Sequence, residues 1–169
     1  MLETLENLSI AVWVRESPSL FAYTLVLSLH AIGLAIVLGT NTLIALRLLG
    51  VAPAIPLTSL RSFYPVIWVG FVINAVSGAL LFVASAKTMG TMPAFWAKLV
   101  LVFIGMTIAL RLKSRFLNLP SLATGAVPDG ARQLAWISLV VWYLALIVGR
   151  LTGYPELIAK WLGSWASGL

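Results

Sequence analysis

Residues 20–46 run for 27 positions without one aspartate, glutamate, lysine or arginine. About 20 apolar residues suffice to cross the hydrocarbon core of a bilayer, so this stretch predicts a membrane-spanning helix. A second uncharged stretch covers residues 62–86 and is closed by Lys87, Gly90 and Pro93. A third opens at Pro93, is interrupted by Lys98 and ends in the cluster Arg111, Lys113 and Arg115; the fourth follows the Asp129-Gly130 turn signal and stops at Arg150. In lipid a backbone must satisfy its own polar groups, which leaves helices as the spanning element for stretches of this length. The sequence therefore predicts an all-α fold, an integral membrane four-helix bundle. It forms a single transmembrane domain over 1–169, with spans at about 18–48, 62–86, 93–113 and 131–151. Ser17 with Pro18 reads as the N-cap and first turn of the first span.

Composition excludes the alternatives. The chain is 61% hydrophobic and 9% charged, against roughly a quarter charged in a soluble domain, so neither a soluble globular protein nor a disordered one fits. The formal charge of +6 comes without a basic run interleaved with aromatics, which argues for membrane orientation and against nucleic acid as a partner. With no cysteine, disulfides, thiolate metal sites, iron–sulfur clusters and c-type haem attachment are ruled out. One histidine and five scattered acids leave little for hydrolytic chemistry, and no catalytic residue is assigned.

Four spans put both termini on one side. The two loops on the opposite side carry Arg47, Arg61, Arg111, Lys113, Arg115 and Arg132, while the terminal side carries Arg15, Lys87, Lys98, Arg150 and Lys160. Positive charge retained inside then predicts both termini outside, which in a bacterium is the periplasm. The ends are amphipathic. Leu157, Ile158, Trp161, Leu162 and Trp165 share one face of a helix at about 155–166 that would lie in the interface. The first fourteen residues repeat the pattern with Leu2, Leu5, Leu8, Val12 and Trp13. An acidic start before so long an apolar stretch predicts no cleavable signal peptide.

A polar side chain inside lipid is expensive enough to mark a position of interest. His30 lies ten residues past Leu20, roughly 15 Å along a helix and near mid-bilayer. Tyr23, His30, Val37 and Asn41 share a helical stripe expected to face the bundle. Ala31, Ala35 and Gly39 form a small-residue row beside it, and Gly70, Asn74 and Gly78 form another on the second span; such rows permit close helix approach. Three readings of His30 stand side by side. It is an axial ligand to the iron of a haem b held between helices, the only metal role the chain offers. It is a quinone-binding or proton-relay histidine. Or it is interhelical glue, satisfied by Asn74, Ser77 or a carbonyl.

Lys98 and Arg150 close the set of candidate binding residues with His30, Tyr23, Asn41 and Asn74. They would hold haem propionates, a carboxylate or an anionic headgroup; otherwise they reach the interface or pair with Glu16. Trp13, Trp161 and Trp165 read as interface anchors, and Trp136 and Trp142 as bundle-lining residues.

Several fragments together resemble a family of short bacterial inner-membrane proteins of unknown function. These are Glu16-Ser17, Tyr23, His30-Ala31-Ile32-Gly33-Leu34-Ala35, Gly39 and Arg47-Leu48-Leu49-Gly50, then Phe95 with Lys98, and Ser138, Trp142, Gly149, Arg150 and Tyr154. More loosely the chain is similar to the membrane domains of copper-resistance proteins and b-type cytochromes. It departs from the family pattern at Leu46, where relatives carry an acid, and near Arg111, where they carry a histidine. The resemblance implies a multi-pass bacterial inner-membrane protein without an assigned activity. The residues add three readings of its role. One is a non-enzymatic accessory or assembly component, with the bilayer and a larger membrane complex or further copies of itself as partners. A second is a small redox module with haem b or quinone at His30. The third is a small-solute or metal transporter.

Overall fold

The computed structural model describes residues 2–19, 21–119, 122, 125–154, 156 and 160. The helices within them are α1 (Leu2–Glu6), α2 (Ser9–Glu16), α3 (Tyr23–Leu48), α4 (Tyr64–Ala84), α5 (Ala86–Thr91), α6 (Pro93–Arg115) and α7 (Asp129–Leu151), with a 3-10 turn, Leu57–Phe63, leading into α4. Among the described residues there is no strand. Four helical segments are long and apolar enough to cross a membrane: α3, the 3-10 turn with α4, α6 and α7. The protein is a four-helix bundle whose broad apolar faces suit a bilayer, as its sequence predicts. The C-terminal amphipathic segment, with Leu157, Ile158, Trp161, Leu162 and Trp165, lies outside the described residues.

Two boundaries differ from the sequence expectation. The first span starts at Tyr23, with Ala22 at the N-cap position and no side-chain cap bond, instead of at Ser17-Pro18. The proline accounts for this: it holds Ser17 extended (φ −62°, ψ 128°), so Ser17 ends α2. The Ser17 and Ser19 hydroxyls then accept from the Ser19 and Phe21 amides at 3.3 and 3.2 Å. His30 consequently sits seven residues into α3, about 10 Å along the helix from its start. The second span breaks at Ser85 (φ −140°, ψ 40°), where the chain leaves α4 for the short α5.

The packing is uneven along the bundle. At the end carrying the Arg- and Lys-rich loops, here the basic end, Ile44, Leu48, Leu60, Tyr64, Ile67, Ala109 and Leu112 form a continuous core with Ala131 and Ala135 of α7. Tyr64 Oη donates to Ala109 O at 2.9 Å, tying α4 to α6, and Lys113 lies over the Tyr64 ring at 5.2 Å. Trp142 is buried against Gly105 of α6, where a Cβ would come within 2.7 Å of the indole, while Trp136 is exposed.

At the opposite, terminal end the core is a small separate cluster of Val14, Val26, Leu81 and Ala84. The predicted N-terminal amphipathic segment docks there: Ala11 and Val14 of α2 are buried. Arg15 Nη1 donates to Ala84 O at 3.4 Å, a cation at the C-terminus of α4. Glu6 Oε1 accepts from the Lys87 amide at 2.8 Å, and the Lys87 ammonium pairs with Glu3. Phe82 stacks on Phe95 at 5.0 Å to bridge α4 and α6.

Candidate functional site

Gly33 and Gly70 allow α3 and α4 to approach until backbones touch. A Cβ on Gly33 would meet Asn74 N at 2.6 Å and Gly70 O at 2.8 Å. Carbon–hydrogen groups and side chains of modest polarity can then reach the facing backbone, which is how such interfaces gain contacts in lipid. Here the residues that reach across are His30 and Asn74. Asn74 Nδ2 donates to His30 O at 2.8 Å, and His30 Nδ1 lies 2.9 Å from Asn74 O.

That second contact fixes the tautomer. A backbone carbonyl only accepts, so Nδ1 carries the hydrogen and donates. The other ring nitrogen, Nε2, is left as an acceptor, and Lys98 Nζ of α6 lies 3.2 Å from it. The ammonium therefore donates to the imidazole. Ser77 Oγ stands 3.3 Å from Nδ1 and donates to Ile73 O at 2.6 Å.

All four spanning helices build this site. The imidazole lies against Gly78 of α4, where a Cβ would be 2.9 Å from Cε1. The Lys98 stem lies against Gly149 of α7, where a Cβ would be 3.1 Å from Cδ and 3.2 Å from Cε. A larger residue at either position would displace one of the two functional side chains. Gly149 carries no mark in composition or periodicity that would single it out, and its part in the site emerges only from the packing.

The other candidates fall elsewhere. Tyr23 is exposed, 48%, and so does not join the site. Asn41 is buried but turns back on its own helix, donating through Nδ2 to Val37 O at 2.9 Å. Arg150 is exposed; its Nη2 donates to Tyr154 Oη at 3.1 Å, and its partner is Tyr154 and not Glu16, which Arg15 binds at 2.8 Å. The row Ala31, Ala35 and Gly39 faces outward, and the close approach it was expected to provide comes instead from Gly33 on the neighbouring face.

The arrangement has a clear consequence for haem. An axial ligand presents an imidazole lone pair to iron, and the only such pair on His30, at Nε2, accepts from Lys98. As arranged, these residues do not fit the group, because Lys98 occupies the lone pair of the ligating atom. Among the described residues no three His, Asp or Glu side chains gather to hold a metal ion. What the site offers chemically is an oriented ammonium with donors to spare, supported by a neutral imidazole. No protein-family model, no curated protein and no solved structure matches the chain.

Proposed function

We propose that the protein is a non-enzymatic accessory or assembly component of a larger complex in the bacterial inner membrane, with both termini in the periplasm. The observation that carries this reading is the outward-facing small-residue row of α3, Ala31, Ala35 and Gly39, exposed and with open space around Gly39. Small residues spaced by four let a second helix backbone come close, and among the described residues this row stays exposed. A transmembrane helix of a partner subunit is the occupant it suits.

The use of the intramembrane polar groups supports the same reading. Asn41, Tyr64, Asn74 and Ser77 each donate to a backbone carbonyl of this chain, which makes them packing devices. The resemblance of the His30–Gly39 and Arg47–Gly50 segments to short bacterial inner-membrane proteins supports the location. The six basic residues Arg47, Arg61, Arg111, Lys113, Arg115 and Arg132 at one end support cytoplasmic loops there.

The test is extraction of the tagged chain from native membranes in mild detergent. A stoichiometric partner subunit should accompany the wild type and be lost from a Ala35→Leu/Gly39→Leu variant that still elutes as a folded particle. A particle containing this chain alone, in one copy or several, overturns the proposal. For orientation, a C-terminal reporter that works only in the cytoplasm should stay silent.

A further inference from the structure

Lys98 has no need to be where it is. In a helix the Cα–Cβ bonds tilt toward the N-terminus, and the N-terminus of α6 is at the terminal end, only five residues away at Pro93. A lysine there has an easy path to water along its own stem. Instead the stem crosses the bundle over Gly149 and brings Nζ to His30 Nε2 at 3.2 Å. The ion pairs among the described residues are Arg15 with Glu16 and Lys87 with Glu3, so among the described residues no acid pairs with Lys98. A cation held at membrane depth by a neutral acceptor alone is costly, and the cost falls when an anion joins it.

The donor count leads to the same place. An ammonium has three N–H groups, and His30 accepts one of them. The imidazole is itself locked by Asn74 O and seated on Gly78, so the direction of the Lys98 ammonium is set before any ligand arrives. The site lies near the bundle surface: no residue of α6 before Gly105 is buried. On α3 the flanking Leu29, Ala31 and Ile32 are exposed toward lipid.

We propose that the His30–Lys98 pair is a binding site for the head of an anionic amphiphile, a single oxyanion carried on an acyl chain that remains in the bilayer. Lys98 donates its free N–H groups to the oxyanion, and His30 acts as the positioning residue that holds the ammonium. A neutral carbonyl ligand such as a quinone would leave the cation uncompensated. The carboxylate of a free fatty acid and the phosphate of an acidic phospholipid share the required chemistry. This site adjoins the outward face of α3 on which the accessory role rests at Ala31 only; Ala35 and Gly39, which the partner test alters, lie outside it.

The experiment uses the purified full chain in an uncharged maltoside detergent, titrated with carboxyl-13C oleate, with phosphatidylglycerol and with methyl oleate. Saturable binding is read by 13C and 31P shifts and by native mass spectrometry. Oleate, phosphatidylglycerol or both should bind as a single equivalent, and methyl oleate should not. Saturation by oleate only identifies a free carboxylate as the ligand, and saturation by phosphatidylglycerol only identifies a phospholipid headgroup. Loss of a charged hydrogen bond in Lys98→Met should weaken binding at least about tenfold, with Lys98→Arg staying within about threefold of the wild type. His30→Gln, which keeps an acceptor, should fall between them. Absence of saturable binding by both anions, equal binding of methyl oleate and oleate, or an unchanged affinity in folded Lys98→Met would each overturn the proposal. Should Lys98→Met fail to fold, the comparison of oleate with its methyl ester on the wild type decides the matter.

Discussion

The Lys98 ammonium donates to His30 Nε2 across the bundle, 3.2 Å apart and from helices that are not consecutive in the chain. The contact couples the histidine tautomer to a charge on α6, so replacing either residue changes what the other must do.

His30 and Asn74 each bond to the other's backbone, through Nδ1 to Asn74 O and Nδ2 to His30 O, and not side chain to side chain. Asn74→Ala should therefore cost about 1 kcal/mol, the worth of a typical hydrogen bond. Combined with His30→Ala, it should depart from additivity by about 0.5–3 kcal/mol, because the two residues meet in one hydrogen-bonded contact between α3 and α4. Reversible unfolding in mixed micelles measures the cycle; strictly additive losses would show that the two bonds act independently.

Gly33 and Gly39 lie on the same helix with opposite demands. A methyl group on Gly33 strikes the backbone of α4 at 2.6 Å, whereas Gly39 has open space. Gly33→Ala should destabilise the bundle by about 1–3 kcal/mol through overpacking. Gly39→Ala should be neutral or stabilising by up to about 1 kcal/mol through helix propensity. Thermal melting of the isolated chain separates the two, and equal effects would contradict the α3–α4 interface.

Tyr64→Phe keeps the packing at the basic end and removes one bond, from Oη to Ala109 O. The buried carbonyl keeps its helical partner, so the loss should be about 1 kcal/mol, with protection of the α6 amides near Ala109 falling in hydrogen exchange. An unchanged exchange pattern would mean that this bond does not hold α4 to α6.

At the terminal end, the hydrogen bond and charge of Lys87 hold the Glu3 carboxyl below the usual carboxylate range, and Glu3 in turn raises Lys87. A depressed carboxylate contributes stability above its unfolded value and loses it as pH falls through the folded one. A raised lysine contributes below its unfolded value and loses it as pH rises through the folded one. Docking of α1 should thus hold at neutral pH and weaken as pH drops below about 4. Protection of the α1 amides, corrected for intrinsic exchange, reports it; Glu3→Gln should remove the acid-dependent step.

His30, Asn74 and Lys98 could be picked from the sequence because each is a polar residue in an apolar stretch, and in lipid that alone marks a position. Their contact could not, since residues 30 and 98 are separated by a whole helix whose packing is set by shape. Tyr23 shows the opposite failure. It shares the stripe of His30, but it is exposed where His30 is partly buried against α4, so shared periodicity did not become a shared environment. The row Ala31, Ala35 and Gly39 is expected to bring helices close, but the approach occurs at Gly33, a single glycine between Leu29 and Val37, because that is where α4 lies.

The sequence by itself determined the fold class, the four spanning segments and the separation of basic loops from the terminal end, because the transfer of uncharged stretches into lipid is a local property summed along the chain. Which helix faces meet was decided only by the tertiary structure. In a soluble bundle the polar face of a helix would have pointed to the answer, but spans that are apolar all round carry no such signal. Inside and outside are then set by backbone approach at Gly33 and Gly70, by the His30 and Lys98 side chains seated on Gly78 and Gly149, and by the few hydrogen bonds these contacts permit.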